Sequence, residues 1–158
     1  MNEKFECNLL IGLGKEEDIE FDMLRKTFFK VAEVLLKNKV AEVELNIPKL
    51  NNLCNYKLAE AIAEGMLHAT CKFDKFKSEK KETPELIVNY NPIPGKEHRA
   101  EKGIDEAKKL IESIFLTRDL VNQPANVIYP ETLADITKER LEAKGVKVTV
   151  YGKKEIEE

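Results

Sequence analysis

Apolar residues recur along this chain in two rhythms. Phe21, Leu24, Phe28, Val31, Ala32 and Leu35 return at steps of three and four, with lysines and glutamates between them. That spacing predicts a helix from about Glu20 to Asn38. Val40, Val43, Leu45 and Ile47 alternate with polar residues and predict a strand closed by Pro48. A second helix, Asn51 to His68, carries Leu53, Leu58, Ile62 and Met66, and its Ala61, Ala63 and Gly65 are small enough to allow a close approach to the sheet. The apolar run Cys7 to Ile11, ending at Gly12-Leu13-Gly14, reads as a buried strand leaving through a tight loop. Followed by a helix and a strand, it implies a right-handed crossover with parallel pairing. Cys71 to Phe76 is expected as a short strand and Lys77 to Glu82 as a charged, solvated loop. Leu86-Ile87-Val88 with Tyr90 forms the next strand, ended by Asn91-Pro92-Ile93-Pro94-Gly95.

A long helix follows, from about Lys96 to Val121, with Ile104, Ala107, Ile111, Ile114 and Phe115 at helical spacing. Pro124 forbids its continuation, having no N–H and turning Gln123 away from the α region. Asn122 and Asn126 flank it and can serve backbone groups that a helix end leaves unpaired. Pro130 and Glu131 open a new helix, Pro by its fixed φ and Glu by facing the positive dipole end. Leu133, Ile136 and Leu141 mark that helix, and Gly145 is placed as its C′ residue. Val146, Val148 and Val150 then alternate as a half-buried strand, and Lys153 to Glu158 begin another helix. If the strand's partners lie outside the chain, it is expected to be disordered, to pack non-natively, or to pair between two copies.

Composition narrows the class. The chain's 158 residues suffice for one domain with a real core, and 42% hydrophobic with 35% charged residues is a globular balance. A net charge of −3 provides no basic field, which argues against nucleic acid as a partner. No apolar run reaches the length of a membrane span, and Met1-Asn2-Glu3-Lys4 opens no signal peptide, so a cytoplasmic location is expected. Cys7, Cys54 and Cys71, odd in number and far apart, read as reduced and mostly structural thiols.

Candidate chemistry is sparse. His68 and His98 are the two imidazoles, and without HExxH or clustered Cys/His spacing they read as a helix-end and a helix-start residue. Gly12-Leu13-Gly14 lacks the third glycine of a dinucleotide fingerprint and the Lys-Ser/Thr of a P-loop, and a loop needing φ > 0 explains both glycines. Ser78 and Ser113 sit in no nucleophile-elbow pattern. No catalytic, cofactor-binding or metal-ligating residue is assigned.

Three stretches carry a family resemblance. Arg118-Asp119-Leu120-Val121-Asn122-Gln123-Pro124-Ala125-Asn126, with Pro130, a helix, Gly145 and a valine strand after it, resembles the domain junction of the leucyl (cytosol) aminopeptidases. Leu9-Leu10-Ile11-Gly12-Leu13-Gly14-Lys15, with a following helix containing Leu24-Arg25-Lys26, is similar to the start of their N-terminal domain. So is Ala63-Glu64-Gly65 followed by Phe73-Asp74-Lys75-Phe76-Lys77. The resemblance implies an α/β fold, a three-layer α/β/α macro-domain-like mixed sheet over residues 1–94. It implies a linker helix over 95–121 and a truncated start of the catalytic domain over 122–158. Family members are two-metal exopeptidases, manganese- or zinc-dependent, that release N-terminal residues such as leucine and assemble as homo-hexamers. Their metal-binding and catalytic residues match no position here, so the resemblance implies no cofactor in this chain and no activity from it alone. Its partner would be the C-terminal catalytic domain, and its role assembly or substrate access. Arg118, Asp119 and Asn122 are then structural, positioning domains by caps and ion pairs. Two other readings are a stand-alone macro-like module binding a nucleotide or ADP-ribose, against which the 7 glycines count, and a DNA-binding domain, against which the acidic balance counts.

Overall fold

A computed structural model gives the fold and describes residues 7–47, 49–50, 53–79 and 85–157. Of the expected elements, Met1 to Lys4, Pro48, Asn51 and residues 80–82 lie outside these. Two compact units result, Met1–Ser113 and Ile114–Glu158.

In the first unit, the apolar stripe of Phe21–Lys37 makes α1, burying Leu24, Phe28, Ala32 and Leu35 as its spacing requires. The helix ends without glycine. Val40 N–H reaches back to Leu35 O and Lys39 N–H to Leu36 O, the paired bonds of a Schellman turn, which forces Lys39 to φ +55°. Asn38 Nδ2 donates to Val34 O at 2.8 Å and takes up another of the terminal carbonyls. Glu42–Asn46 then forms β1, and Asn55–Ala69 forms α2, with Leu58, Ala59, Ala61, Ile62 and Met66 buried. Ile87–Asn91 forms β2.

β1 and β2 pair in parallel, Val43 opposite Val88 and Leu45 opposite Tyr90. These four point toward the core, while the alternate positions face outward and pair there through polar groups. Asn89 Nδ2 donates to Glu42 Oε1 and Asn91 Nδ2 to Asn46 Oδ1, both at 2.8 Å. Parallel pairing is therefore present, but through α2 rather than α1. The strand expected at Cys7 to Ile11 is not formed: Leu10 is 93% exposed, and only Ile11 and Leu13 lean on the core. A strand exists only as half of a ladder, and no described segment pairs with it. The strand expected at Cys71 to Phe76 is a turn instead. Lys77 N–H donates to Asp74 O, which brings the rings of Phe73 and Phe76 together edge to face at 5.8 Å. The three-residue spacing of those rings belongs to a turn and not to alternation.

The helices meet at glycines. A Cβ on Gly65 of α2 would collide with the carbonyl of Arg25 and lie 3.0 Å from Phe29 N, so the close approach of α2 is to α1 and not, as its small residues suggested, to the sheet. Glu97–Asn122 forms α3, entered through Gly95 at φ +75°, whose N–H donates to Glu97 Oε1 at 2.9 Å. Ala100, Gly103, Ala107 and Ile111 are its buried stripe. A Cβ on Gly103 would collide with the carbonyl of Tyr56 on α2, so α2 is approached closely by helices at two places along its length.

In the second unit, Pro130–Glu142 forms α4 with Pro130 in its first turn, and Lys153–Ile156 forms the short α5. Val146 N–H bonds to Leu141 O and Gly145 N–H to Glu142 O, with Gly145 at φ +78°, which makes Gly145 the C′ residue as expected. The valine strand after it is not formed; Val146 and Val150 are 49% and 45% exposed and no described segment pairs with it as a strand.

Two substitutions test this account. Lys39→Gly should raise stability by about 1 kcal/mol, because glycine adopts the left-handed conformation without a Cβ penalty. Gly65→Ala should lower it by about 3 kcal/mol, because the new methyl meets backbone that cannot swing aside. Urea denaturation followed by circular dichroism reads both.

Candidate functional site

Charged side chains converge where α1 crosses α2. Asp22, Lys26 and Lys30 share a face of α1 at four-residue steps, and α2 brings Glu64, Gly65 and His68 against it. Between them lies an open groove of about 310 Å³, with Phe29 and His68 set edge to face, 6.0 Å between ring centres. Lys26 Nζ stands 2.6 Å from Asp22 Oδ2, and Arg25 Nη1 stands 3.5 Å from Asp22 Oδ1. Arg25 Nε lies 2.6 Å from Glu64 Oε2, close but without an aligned hydrogen bond. Glu64 is 4% exposed, so its charge is buried with Arg25 as partner. The Arg25 guanidinium also covers the ring of Phe21 at 4.7 Å, and Lys57 Nζ lies 5.2 Å from the same ring while paired to Glu60 at 2.7 Å.

These groups hold one another. The hydrogen bond from Lys26, and then its charge, keeps the Asp22 carboxyl below its usual range, against a smaller effect of burial. Glu60 likewise raises the Lys57 ammonium, first through its hydrogen bond. A carboxyl depressed in the folded state favours folding at pH values above the ordinary carboxylate range. That contribution fades as the pH falls through the folded value. Chemically the constellation is a clasp between two helices. It sets no nucleophile beside a base, and Arg25, Lys26 and Lys57 are each paired with a carboxylate.

The other candidates are dispersed. Gly14 sits at φ +78°, but Gly12 does not, so only one glycine of the loop is needed for its backbone. Glu16, Glu17 and Asp18 follow directly in a single 3-10 turn, an acidic surrounding that does not suit a phosphate. Ser113 Oγ donates to Lys109 O within α3, and Ser78 is exposed in a bend. His98 lies in the first turn of α3, and His68 in the last turn of α2. All three cysteines are free, but Cys7 and Cys54 are exposed, so they do not serve as core packing. Among the described residues, no group of three or more His, Cys, Asp or Glu side chains could hold a metal ion. No helix of the described residues is long and apolar enough to cross a membrane.

At the junction, Gln123 Nε2 donates to Asp119 Oδ2 at 2.8 Å, a bond within the same stretch. Asn122 is the last residue of α3. Pro124 O accepts from the N–H groups of Val127 and Ile128, closing the turn. Thr132, which the sequence reading passed over, ties the entry to α4. Its Oγ1 accepts from Tyr129 N–H at 2.9 Å and shares its proton between the carbonyls of Val127 and Tyr129. A threonine two places after the proline was the available signal.

Comparison with known proteins places this architecture. Residues 2–80 match the model of the N-terminal domain of the cytosol aminopeptidase family. A protein of Treponema denticola named probable cytosol aminopeptidase is 75% identical over 157 residues, covering 99% of this chain and 33% of its own length. One of the same name from Clostridium tetani is 38% identical over 151 residues, covering 95% of this chain and 31% of its own. The chain thus spans about a third of the curated relatives it matches. Among solved structures, the bottromycin maturation enzyme BotP superposes with a TM-score of 0.75 at 22% identity, over 89% of this chain and 29% of its own. That likeness shows a shared fold.

The clasp makes an asymmetric prediction. Arg25→Met should cost about 2 to 3 kcal/mol, because it strands the buried Glu64 charge, whereas Arg25→Met with Glu64→Leu should return to within about 1 kcal/mol of the parent. A double-mutant cycle in urea measures it, and additive losses would mean that the pair carries no coupling.

Proposed function

The chain belongs to the cytosol aminopeptidase family, and on that premise we propose that it is a non-catalytic, N-terminal portion of a metal-dependent leucyl aminopeptidase. The match to the family's N-terminal domain over residues 2–80 carries this reading, beside relatives three times as long. The parent activity is release of N-terminal amino acids from peptides in the cytoplasm. In it, two manganese or zinc ions would activate water and stabilise the tetrahedral intermediate. The ligands for those ions would belong to the remaining two thirds of such a protein. No step of hydrolysis is assigned to a residue of this chain.

In this reading, residues 1–94 supply a macro-like, three-layer domain whose sheet includes β1 and β2. Residues 95–121, most of α3, serve as the linker helix, and residues 122–158 begin the catalytic domain. The clasp between α1 and α2 supports a scaffolding role, in assembly or in shaping substrate access, because it pairs Arg25 with Glu64 and Lys26 with Asp22 inside the chain. A homo-hexameric parent fits that role.

The test is hydrolysis of a leucyl chromogenic substrate with manganese and then zinc added. The 158-residue chain should show no turnover above buffer, and the chain continued through the remainder of its Treponema denticola relative should be active. Turnover by the 158 residues alone would overturn the proposal.

A further inference from the structure

One cation at the crossing of α1 and α2 is left over when the charges there are matched. Arg25 faces Glu64 and Lys26 faces Asp22, each at 2.6 Å. Lys30, one turn beyond Lys26 on the same face, has no carboxylate partner among the described residues. Arg25, Lys26 and Lys30 therefore stand against Glu64 and Asp22 with a single positive charge in excess. A surface lysine by itself would indicate nothing, since its ammonium is well served by water. The surroundings of Lys30 make the difference. It lines the groove of about 310 Å³ together with Phe29 and His68, both half-buried, and with Gly65, which supplies backbone alone. The two rings meet edge to face, 6.0 Å between centres, and form an apolar corner beside the cation.

We propose that this groove binds a small monocarboxylate with an aromatic body, its carboxylate on the Lys30 ammonium and its ring against Phe29 and His68. Charge decides the first half of that assignment. An excess of one positive charge suits a monoanion, and the acidic side chain that lines the groove, Asp22, is already held by Lys26 and Arg25, so it repels an entering anion little. Shape decides the second half. The groove's volume lies at the lower end for small-molecule sites, and a third ring can pack on an edge-to-face pair. A free aromatic acid and a peptide ending in phenylalanine carry the same two groups. The proposal goes beyond the peptidase reading and does not rest on it.

Amide NMR of the isotope-labelled 158-residue chain, titrated with phenylacetate, tests the proposal. Saturable shifts should cluster at Lys26 to Lys30 of α1 and Gly65 to His68 of α2. Acetate, which lacks the ring, should give none. Phenylacetamide, which lacks the charge, should bind the parent about fivefold more weakly than phenylacetate, the upper range for one exposed ion pair. Lys30→Gln, at an exposed position, should weaken phenylacetate by the same factor, leave phenylacetamide unchanged and leave the urea midpoint where it was. Lys30→Arg should restore the carboxylate preference. Titration with acetyl-glycyl-phenylalanine then distinguishes the sources: tighter binding than phenylacetate assigns the site to peptide ends, and weaker binding assigns it to free acids. Three results would overturn the proposal. They are no saturable shift at the groove by about 50 mM phenylacetate, shifts centred elsewhere, and a preference for phenylacetate over its amide that survives in Lys30→Gln.

Discussion

The absence of a side chain at Gly65 fixes the distance between α1 and α2, and much of the first unit depends on that distance. Glycine inside a helix costs about 1 kcal/mol of propensity, so it persists only where closeness returns more. Here the return is visible. With the helices in backbone contact, Leu24 and Phe28 are sealed, and the Arg25 side chain is carried to Glu64 one position before the glycine. A wider spacing would open the core and would also leave the Glu64 carboxylate buried without its cation. The packing and the electrostatics are thus a single constraint. Gly103 repeats the device between α2 and α3, so α2 is fixed at two points by contacts with backbone rather than with deformable side chains.

This constraint explains what the sequence could and could not reveal. The helices were legible because their information is local. The three- and four-step spacing of Phe21 to Leu35 needs no knowledge of a partner, and Pro130 and Gly145 mark helix ends by their own backbone restrictions. Strands were less legible, since alternation is necessary for a ladder but does not supply one. Val43 and Leu45 found Val88 and Tyr90, whereas the equally apolar Leu9 and Leu10 found no strand among the described residues. In the turn at Asp74 to Lys77, ring packing at three-residue spacing overrode a pattern that read as alternation.

The candidate site was legible in pieces. Leu24-Arg25-Lys26 and Ala63-Glu64-Gly65 were recognisable as family-like stretches, but nothing in either one says that they touch. In the folded chain the two stretches are one contact, with Arg25 on Glu64 and the Arg25 carbonyl against Gly65. In this chain the two stretches lock one helix against another. That physical role differs from chemistry, and it accounts for charged residues at a helix crossing without invoking a ligand.

The same reasoning sets the level at which function belongs. A polar group performs chemistry when the fold holds it near a reacting atom and leaves its capacity unspent. At the helix crossing the carboxylates are spent: Glu64 on Arg25, Asp22 on Lys26, Glu60 on Lys57. At the junction, Asp119 accepts from Gln123, and the Thr132 hydroxyl is used three times within one turn. Apolar surface, by contrast, lies open to solvent, at Leu10, Phe76 and Ile87 in the first unit and at Val121, Tyr151 and Ile156 in the second. Exposed apolar side chains of this kind suit association with another surface.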